Sequence, residues 1–183
     1  MTTTIASLQS RYTDKAVPEL KKQFGYTNMN AVPRITKVVV SAGVGRAVRD
    51  AKELDTVVES LERITGQKAV QTKAKKSIAN FKLREGLAIG VMVTLRGQRM
   101  NHFLEKLVHV ALPRVRDFQG IPSTSFSAGT YTIGFKEHLM FPEISSESIE
   151  KIHGLAVTIV TTAKTPAEAR TLLQALGFPF RNS

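Results

Sequence analysis

Between Ala88 and Arg96 the side chains alternate: Ile89, Val91, Val93 and Leu95 take one side of an extended chain, and Gly90, Met92, Thr94 and Arg96 take the other. The first set asks for a core and the second does not. A fold that accommodates this run needs a sheet with one face covered and the other uncovered. Four further runs carry β-branched residues with period-two alternation, namely Arg34 to Ser41, Lys68 to Lys73, Thr130 to Lys136 and Leu155 to Thr162, so the expected strands number five.

Helices fall between these runs and are marked by their ends. Asp50 and Glu53 resemble a capping box ahead of the stripe Leu54, Val57, Val58, Leu61 and Ile64, which stops at Gly66 and points Leu61 at a core. Thr165, Pro166 and Glu168 open a last helix bearing Leu172, Leu173 and Leu176 before Gly177. A third helix runs from about Gln98 to Leu112 and ends at Pro113, with Met100, Phe103, Leu104, Leu107, Val108 and Ala111 on one side. An N-terminal helical region, 1–25, holds Ile5, Leu8, Tyr12, Leu20 and Phe24 and is bent or restarted near Pro18. The order α-β-α-β-β-α-β-β-α predicts an α+β fold: a five-stranded, mostly antiparallel sheet containing a split β-α-β-β-α-β unit, with helices packed on one face and the other face open. Length favours a single domain over 1–183.

Charge says what the open face meets. Of a formal net charge of +11, Met1 to Glu62 contributes +2, Arg63 to Arg116 contributes +10 and Asp117 to Ser183 contributes −1. Arg63 to Arg84 carries seven positive residues with no Asp or Glu among them, a self-repulsion that a polyanion relieves. A merely solvated face suits scattered lysines better than this block. Nucleic acid is the expected partner. Trp is absent and aromatic residues make up 7% of the chain, so readout by stacking has few platforms. With no cysteine, disulfides, thiolate metal sites and cysteine nucleophiles are excluded. No apolar run is long enough for a membrane span, and Met1 to Ser7 lacks the character of a signal or transit peptide, so a cytosolic location is expected.

The segment Lys73 to Arg84 lies between two expected strands, too long for a tight hairpin and too charged for burial, so a basic loop over 73–86 should project outward. Its lysines suit phosphates, while Phe81 could touch a sugar or base or anchor the loop on the body. Gln67, at a helix-to-strand joint, offers an amide to RNA. Gly43 and Gly45 raise a dinucleotide-binding reading, but the third glycine position holds Val48 and the following residues include Arg46 and Arg49. A strand-exit turn using positive φ, with amides and Arg46 near phosphate, fits better. His102 and His109 are seven apart, the wrong spacing for metal on a helix, and His138 and His153 have no nearby acidic cluster of ligand type, so all four read as structural or surface residues. No Walker, GxSxG or HExxH pattern occurs, and enzymatic activity, cofactors and small-molecule substrates are not expected. A DNA-binding protein would share the basic centre, yet no helix-turn-helix, zinc-finger or basic-zipper pattern is present.

Several ordered blocks carry a resemblance: Val32 to Gly45, Thr65-Gly-Gln-Lys68, Thr72 to Ser77, Val93-Thr-Leu-Arg-Gly97, Leu112-Pro-Arg-Val-Arg-Asp-Phe118, Phe141-Pro-Glu-Ile144, Ile159 to Lys164 and Phe178-Pro-Phe-Arg181. Together they resemble the bacterial large-subunit ribosomal protein five family over nearly the whole chain. The resemblance implies a structural role in the ribosome: binding of 5S rRNA, its attachment in the central protuberance, and contact with 23S rRNA and other central-protuberance proteins. It implies 5S-facing polar positions at Ser41, Gln67 and Thr94, although the family usually carries Asn where this chain has Ser41. Lys37, Lys68 and Arg96 are expected to join them in matching backbone and 2′-hydroxyl positions. By the same resemblance the loop residues Lys73, Lys75, Lys76, Ser77, Asn80, Phe81, Lys82 and Arg84 reach the P-site tRNA elbow. Arg114, Arg116, Asp117, Glu143 and Glu147 fall in regions implied to touch small-subunit ribosomal protein thirteen in an intersubunit bridge, where Glu137, Glu143, Glu147 and Glu150 suit a basic partner. The loop Thr124 to Gly129 departs from the family pattern, so no contacts are carried to it.

Overall fold

The computed structural model describes residues 7–45, 51–127, 129–144 and 152–181. It is an α+β structure whose sheet is open and antiparallel. The strands are β1 (Ile35–Gly43), β2 (Val70–Lys73), β3 (Ala88–Leu95), β4 (Phe126–Ser127), β5 (Thr130–Phe135) and β6 (Leu155–Thr161), in the sheet order β2-β3-β1-β6-β5-β4. The sheet therefore has six strands where alternation predicts five. The additional one, β4, has only two residues, pairing Phe126 with Tyr131 and Ser127 with Thr130, too few to show a period. The chain divides into two compact units, one of 1–38, 96–133 and 158–183, the other of 39–95 and 134–157.

In the first unit, the N-terminal helical region is interrupted as its proline predicts. Helix α1 (Leu8–Arg11) passes through a π-helical turn at Tyr12–Ala16 into α2 (Val17–Phe24), with Pro18 in the first turn of α2. Pro18 has no amide hydrogen, and the first turn of a helix is where none is needed. The expected third helix is α4 (Gly97–Lys106), but it does not run unbroken to Pro113. A π-helical turn, Leu107–Ala111, and a 3-10 turn, Leu112–Arg114, complete it. Helix α5 (Pro166–Ala175) is capped as expected: the Thr165 hydroxyl accepts from the Glu168 amide at 3.3 Å, and the Glu168 carboxylate accepts from the Lys164 amide at 2.9 Å. Despite partial burial pushing the other way, hydrogen bonds to the carboxylate from the Lys164 amide, the Tyr26 hydroxyl and Thr165 hold the Glu168 carboxyl below its ordinary value. Helix α1 packs on α4 and α2 on α5, burying Leu20, Leu104, Leu107, Leu172 and Leu173. Phe126, Tyr131 and Phe180 form an aromatic group in this unit, with ring centroids 4.3 to 5.7 Å apart. The Tyr131 hydroxyl donates to the Pro122 carbonyl at 2.6 Å, and burial raises its phenol to about 12.

In the second unit, helix α3 (Ala51–Thr65) lays its stripe on β3. Leu54, Val57, Leu61 and Ile64 are buried, as are Val91, Val93 and Leu95. Gly66 ends the helix in the left-handed conformation, φ +64, its amide donating to the Glu62 carbonyl at 2.8 Å. Asp50, the expected cap, lies outside the described residues. β2 pairs antiparallel with β3, Val70 opposite Met92, with a register shift between Thr72 and Lys73. At Gly90 a Cβ would come within 2.8 Å of the Thr72 hydroxyl and 2.9 Å of the Ala42 carbonyl, so only glycine lets the flanking chains close on this strand. His138 is buried and its ring stacks on that of His153 at 3.9 Å; burial lowers the His138 imidazole below its ordinary value.

Candidate nucleic-acid interface

From Val91 onward β3 divides its residues as its sequence requires, but before that it does not: Ile89, expected in the core, is half-exposed, and Gly90, expected on the uncovered face, is buried where the flanking chains close on it. Val91, Val93 and Leu95 are buried, while Met92 and Thr94 are half-exposed. On the neighbouring strand β1, Val38, Val40 and Ala42 are buried and Lys37, Val39 and Ser41 are half-exposed. In the second unit the half-exposed side chains of these two strands are mixed, polar at Ser41 and Thr94 and apolar at Val39 and Met92.

Of the six residues expected to face 5S rRNA, two are joined directly. The Gln67 amide nitrogen donates to the Thr94 backbone carbonyl at 3.0 Å. The pairing of β2 with β3 begins at Val70 and Met92, two residues short of Thr94, and Gln67 satisfies the carbonyl there instead. A backbone carbonyl only accepts, so this bond fixes which end of the amide is nitrogen and leaves Oε1 and one N–H for a ligand. The joint around Gln67 is braced. Thr65 donates its hydroxyl to the Leu61 carbonyl at 2.7 Å and accepts from the Gln67 amide hydrogen at 3.4 Å, and Glu62 accepts from the Ala69 amide at 3.0 Å. Sequence reasoning did not assign Glu62 or Thr65 a role in the site. The short Thr-Gly-Gln joint, where a helix must turn at once into a strand, is the signal that could have found them. Lys68 is exposed beside Gln67, and Ser41 lies on the strand next to β3. Lys37 and Arg96 belong to the first unit, Lys37 half-exposed on β1 and Arg96 exposed immediately before α4.

The basic loop is built, not loose. At its base the Ala74 amide donates to the Leu87 carbonyl at 2.8 Å and the Gly86 amide to the Ala74 carbonyl at 3.0 Å. Farther out Ile78 and Leu83 exchange two backbone bonds, 3.0 and 3.1 Å, and the Ser77 hydroxyl accepts from the Glu85 amide at 2.9 Å. A single 3-10 turn, Ala79–Phe81, makes the tip, followed by Lys82 in the left-handed region at φ +52. Lys73, Lys75, Lys76, Asn80, Lys82 and Arg84 are exposed. Phe81 is 73% exposed at the tip, so of its two expected roles that of anchor does not hold.

The remaining expected residues are dispersed. Arg114 and Arg116 are exposed and Asp117 adopts φ +54 in the first unit, Glu143 is exposed in the second, and Glu147, Glu150, Arg46 and Arg49 lie outside the described residues. Gly43 and Gly45 do not take the expected positive φ; Gly43 is the last residue of β1, and the Val44 amide still donates to the Ile89 carbonyl at 2.9 Å. Gly43 extends the strand instead of turning it, and Gly45 follows in a 3-10 turn. Among the described residues there is no cluster of His, Cys, Asp or Glu able to hold a metal, and no helix is long and apolar enough to cross a membrane.

Comparison with known proteins decides the family. A model described as ribosomal protein L5 matches residues 28–84, and a second, describing the C-terminus of the same ribosomal family, matches 88–180. The chain belongs to the ribosomal protein L5 family. Members of comparable length are the large ribosomal subunit proteins uL5 of Brevibacillus brevis, 55% identical over 95% of this chain and 97% of that one, and of Mesoplasma florum, 55% identical over 94% and 97%. That of Streptococcus uberis is likewise 55% identical over 94% and 97%. As an L5-family protein the chain is a structural, non-enzymatic component of the large ribosomal subunit in the cytoplasm.

Proposed function

We propose that the chain binds 5S rRNA through the uncovered sheet face and attaches it in the central protuberance, with Lys37, Ser41, Gln67, Lys68, Thr94 and Arg96 as contact residues. The observation that carries this reading is the Gln67 amide held on the Thr94 carbonyl at 3.0 Å beside exposed Lys68. Double-helical RNA hides its base edges in a deep, narrow groove and displays phosphates and 2′-hydroxyls. A fixed amide with one acceptor and one donor to spare, next to a cation, suits that display. We read the whole of 1–183 as one RNA-binding domain, and β2-β3-β1-β6 as its split β-α-β-β-α-β unit. From the same family reading, 23S rRNA and neighbouring central-protuberance proteins lie beside the 5S contact, and the basic loop meets P-site tRNA. Arg114, Arg116, Asp117, Glu143 and Glu147 are assigned to the bridge with small-subunit ribosomal protein thirteen.

The test compares affinity for 5S rRNA, duplex DNA and an unrelated structured RNA at one salt concentration, then follows 5S rRNA across salt. Preference for 5S rRNA with a log–log salt slope of about −4.5, as for roughly five neutralised phosphates, supports the reading. Equal affinity for all three, or a flat salt response, overturns it.

A further inference from the structure

A cavity of about 250 Å3 in the first unit is not used by the contacts above. Its floor includes the buried Leu8 and Met100, and its rim carries Gln9, Tyr12, Arg34 and Asn101. Four features limit what it can hold. The volume is below the roughly 300 to 1,000 Å3 of sites that take drug-sized molecules, and leaves room for one flat heterocycle. Tyr12 is half-buried and is the first residue of the π-helical turn Tyr12–Ala16, so the widened turn, a device frequent at functional sites, forms part of the wall. Arg34 is exposed and makes no ion pair with a described residue, and its backbone amide is fixed on the Thr162 hydroxyl at 3.0 Å. Finally, Gln9 and Asn101 each bring a donor and an acceptor to the rim.

An aliphatic ligand would leave both amides idle, and a free inorganic anion would leave the apolar floor and the ring idle. An unstacked nucleobase with its phosphate uses all of them: face against an aromatic, edge against amides, phosphate against a guanidinium. We propose that this cavity takes one unstacked nucleobase of a structured ribosomal RNA, with its ring beside Tyr12, its edge at Gln9 and Asn101, and its phosphate at Arg34. The inference rests on the RNA-binding reading and adds to it a base-specific contact, distinct from recognition of duplex shape by the sheet.

The experiment uses large subunits purified from cells expressing the full chain. Ultraviolet irradiation followed by mass spectrometry of peptide–nucleotide adducts should find Tyr12 joined to a single rRNA position. Chemical probing should show that base protected in the wild type and reactive in Asn101→Leu, whose unchanged melting temperature would exclude misfolding. Arg34→Ala should weaken binding of an rRNA fragment carrying that position about tenfold, as for one lost charge-assisted contact. If adducts form on β3 or the basic loop but not on Tyr12, and no base changes reactivity in Asn101→Leu, the pocket assignment is wrong and the sheet reading stands. If the chain does not co-purify with large subunits at all, both fall.

Discussion

Replacing Gln67 by Leu separates the two jobs assigned to one side chain. In the folded protein the amide supplies a 3.0 Å hydrogen bond to a partly buried carbonyl. A net bond of this kind contributes about 0.5–1.5 kcal/mol, and because water can still reach the site, about 1 kcal/mol is expected to be lost. For a chain of 183 residues that lowers the melting temperature by about 2–4 °C. RNA affinity should fall further than stability does, since Leu also removes the free acceptor and donor; two neutral contacts of similar worth correspond to a loss of about 10- to 30-fold. The salt slope should not change, because no charge is removed. Lys68→Ala is the control with the opposite signature, reducing the slope by about 0.9 while leaving the melting temperature alone. Gln67→Glu keeps the shape but turns an acceptor toward the Thr94 carbonyl and a negative charge toward phosphate, so its affinity should lie below that of Gln67→Leu. Filter binding to 5S rRNA over a salt series, beside thermal melts, reads all three. If Gln67→Leu binds 5S rRNA like the wild type, or shifts the slope as Lys68→Ala does, the amide is not a contact of the kind described.

Three further outcomes follow from the packing and the loop. Leu61 is fully buried on the packed side of α3, and Leu61→Ala should cost about 2–5 kcal/mol in urea denaturation through lost contacts and the cavity left behind; a loss below about 1 kcal/mol would mean the helix is not packed as described. Replacing Lys75, Lys76 and Lys82 together by Ala should leave 5S rRNA affinity unchanged and weaken P-site tRNA retention on assembled ribosomes, and unchanged retention would remove the loop from that role. The Tyr131 phenol, raised by burial to about 12, binds its proton more tightly folded than unfolded, so stability should fall between about pH 10 and pH 12. Denaturation midpoints of Tyr131→Phe across that range should decline less steeply than those of the wild type, and parallel declines would count against burial as the cause.

How far the sequence could be read depended on how many residues a signal spans. The stripe from Leu54 to Ile64 and the alternation from Ile89 to Leu95 are long enough for period to outweigh any single residue, and both elements stand where the pattern puts them. Thr165 and Glu168 act through bonds three or four residues apart, so the cap of α5 is local and legible. β4 is not legible, because two residues have no period and Phe126 and Ser127 pair only through the adjacent β5. The π-helical turns at Tyr12 and Leu107 escape notice for a related reason: one extra residue in a turn hardly disturbs an apolar stripe. Gly43 misled because glycine permits positive φ without requiring it. At the interface, charge counting located the basic loop, but only tertiary contact could show Gln67 standing in for a strand partner or Phe81 left outside.

The rungs of the basic loop bear on how fast its partner is met. Fixing one residue's backbone costs about 1–2 kcal/mol of conformational entropy, and between Ala74 and Leu87 the paired backbone bonds and the Ser77 hydroxyl place that cost in folding rather than in docking. An arm already holding its shape meets an incoming partner without a disorder-to-order delay, so its encounter rate should follow diffusion and ionic strength.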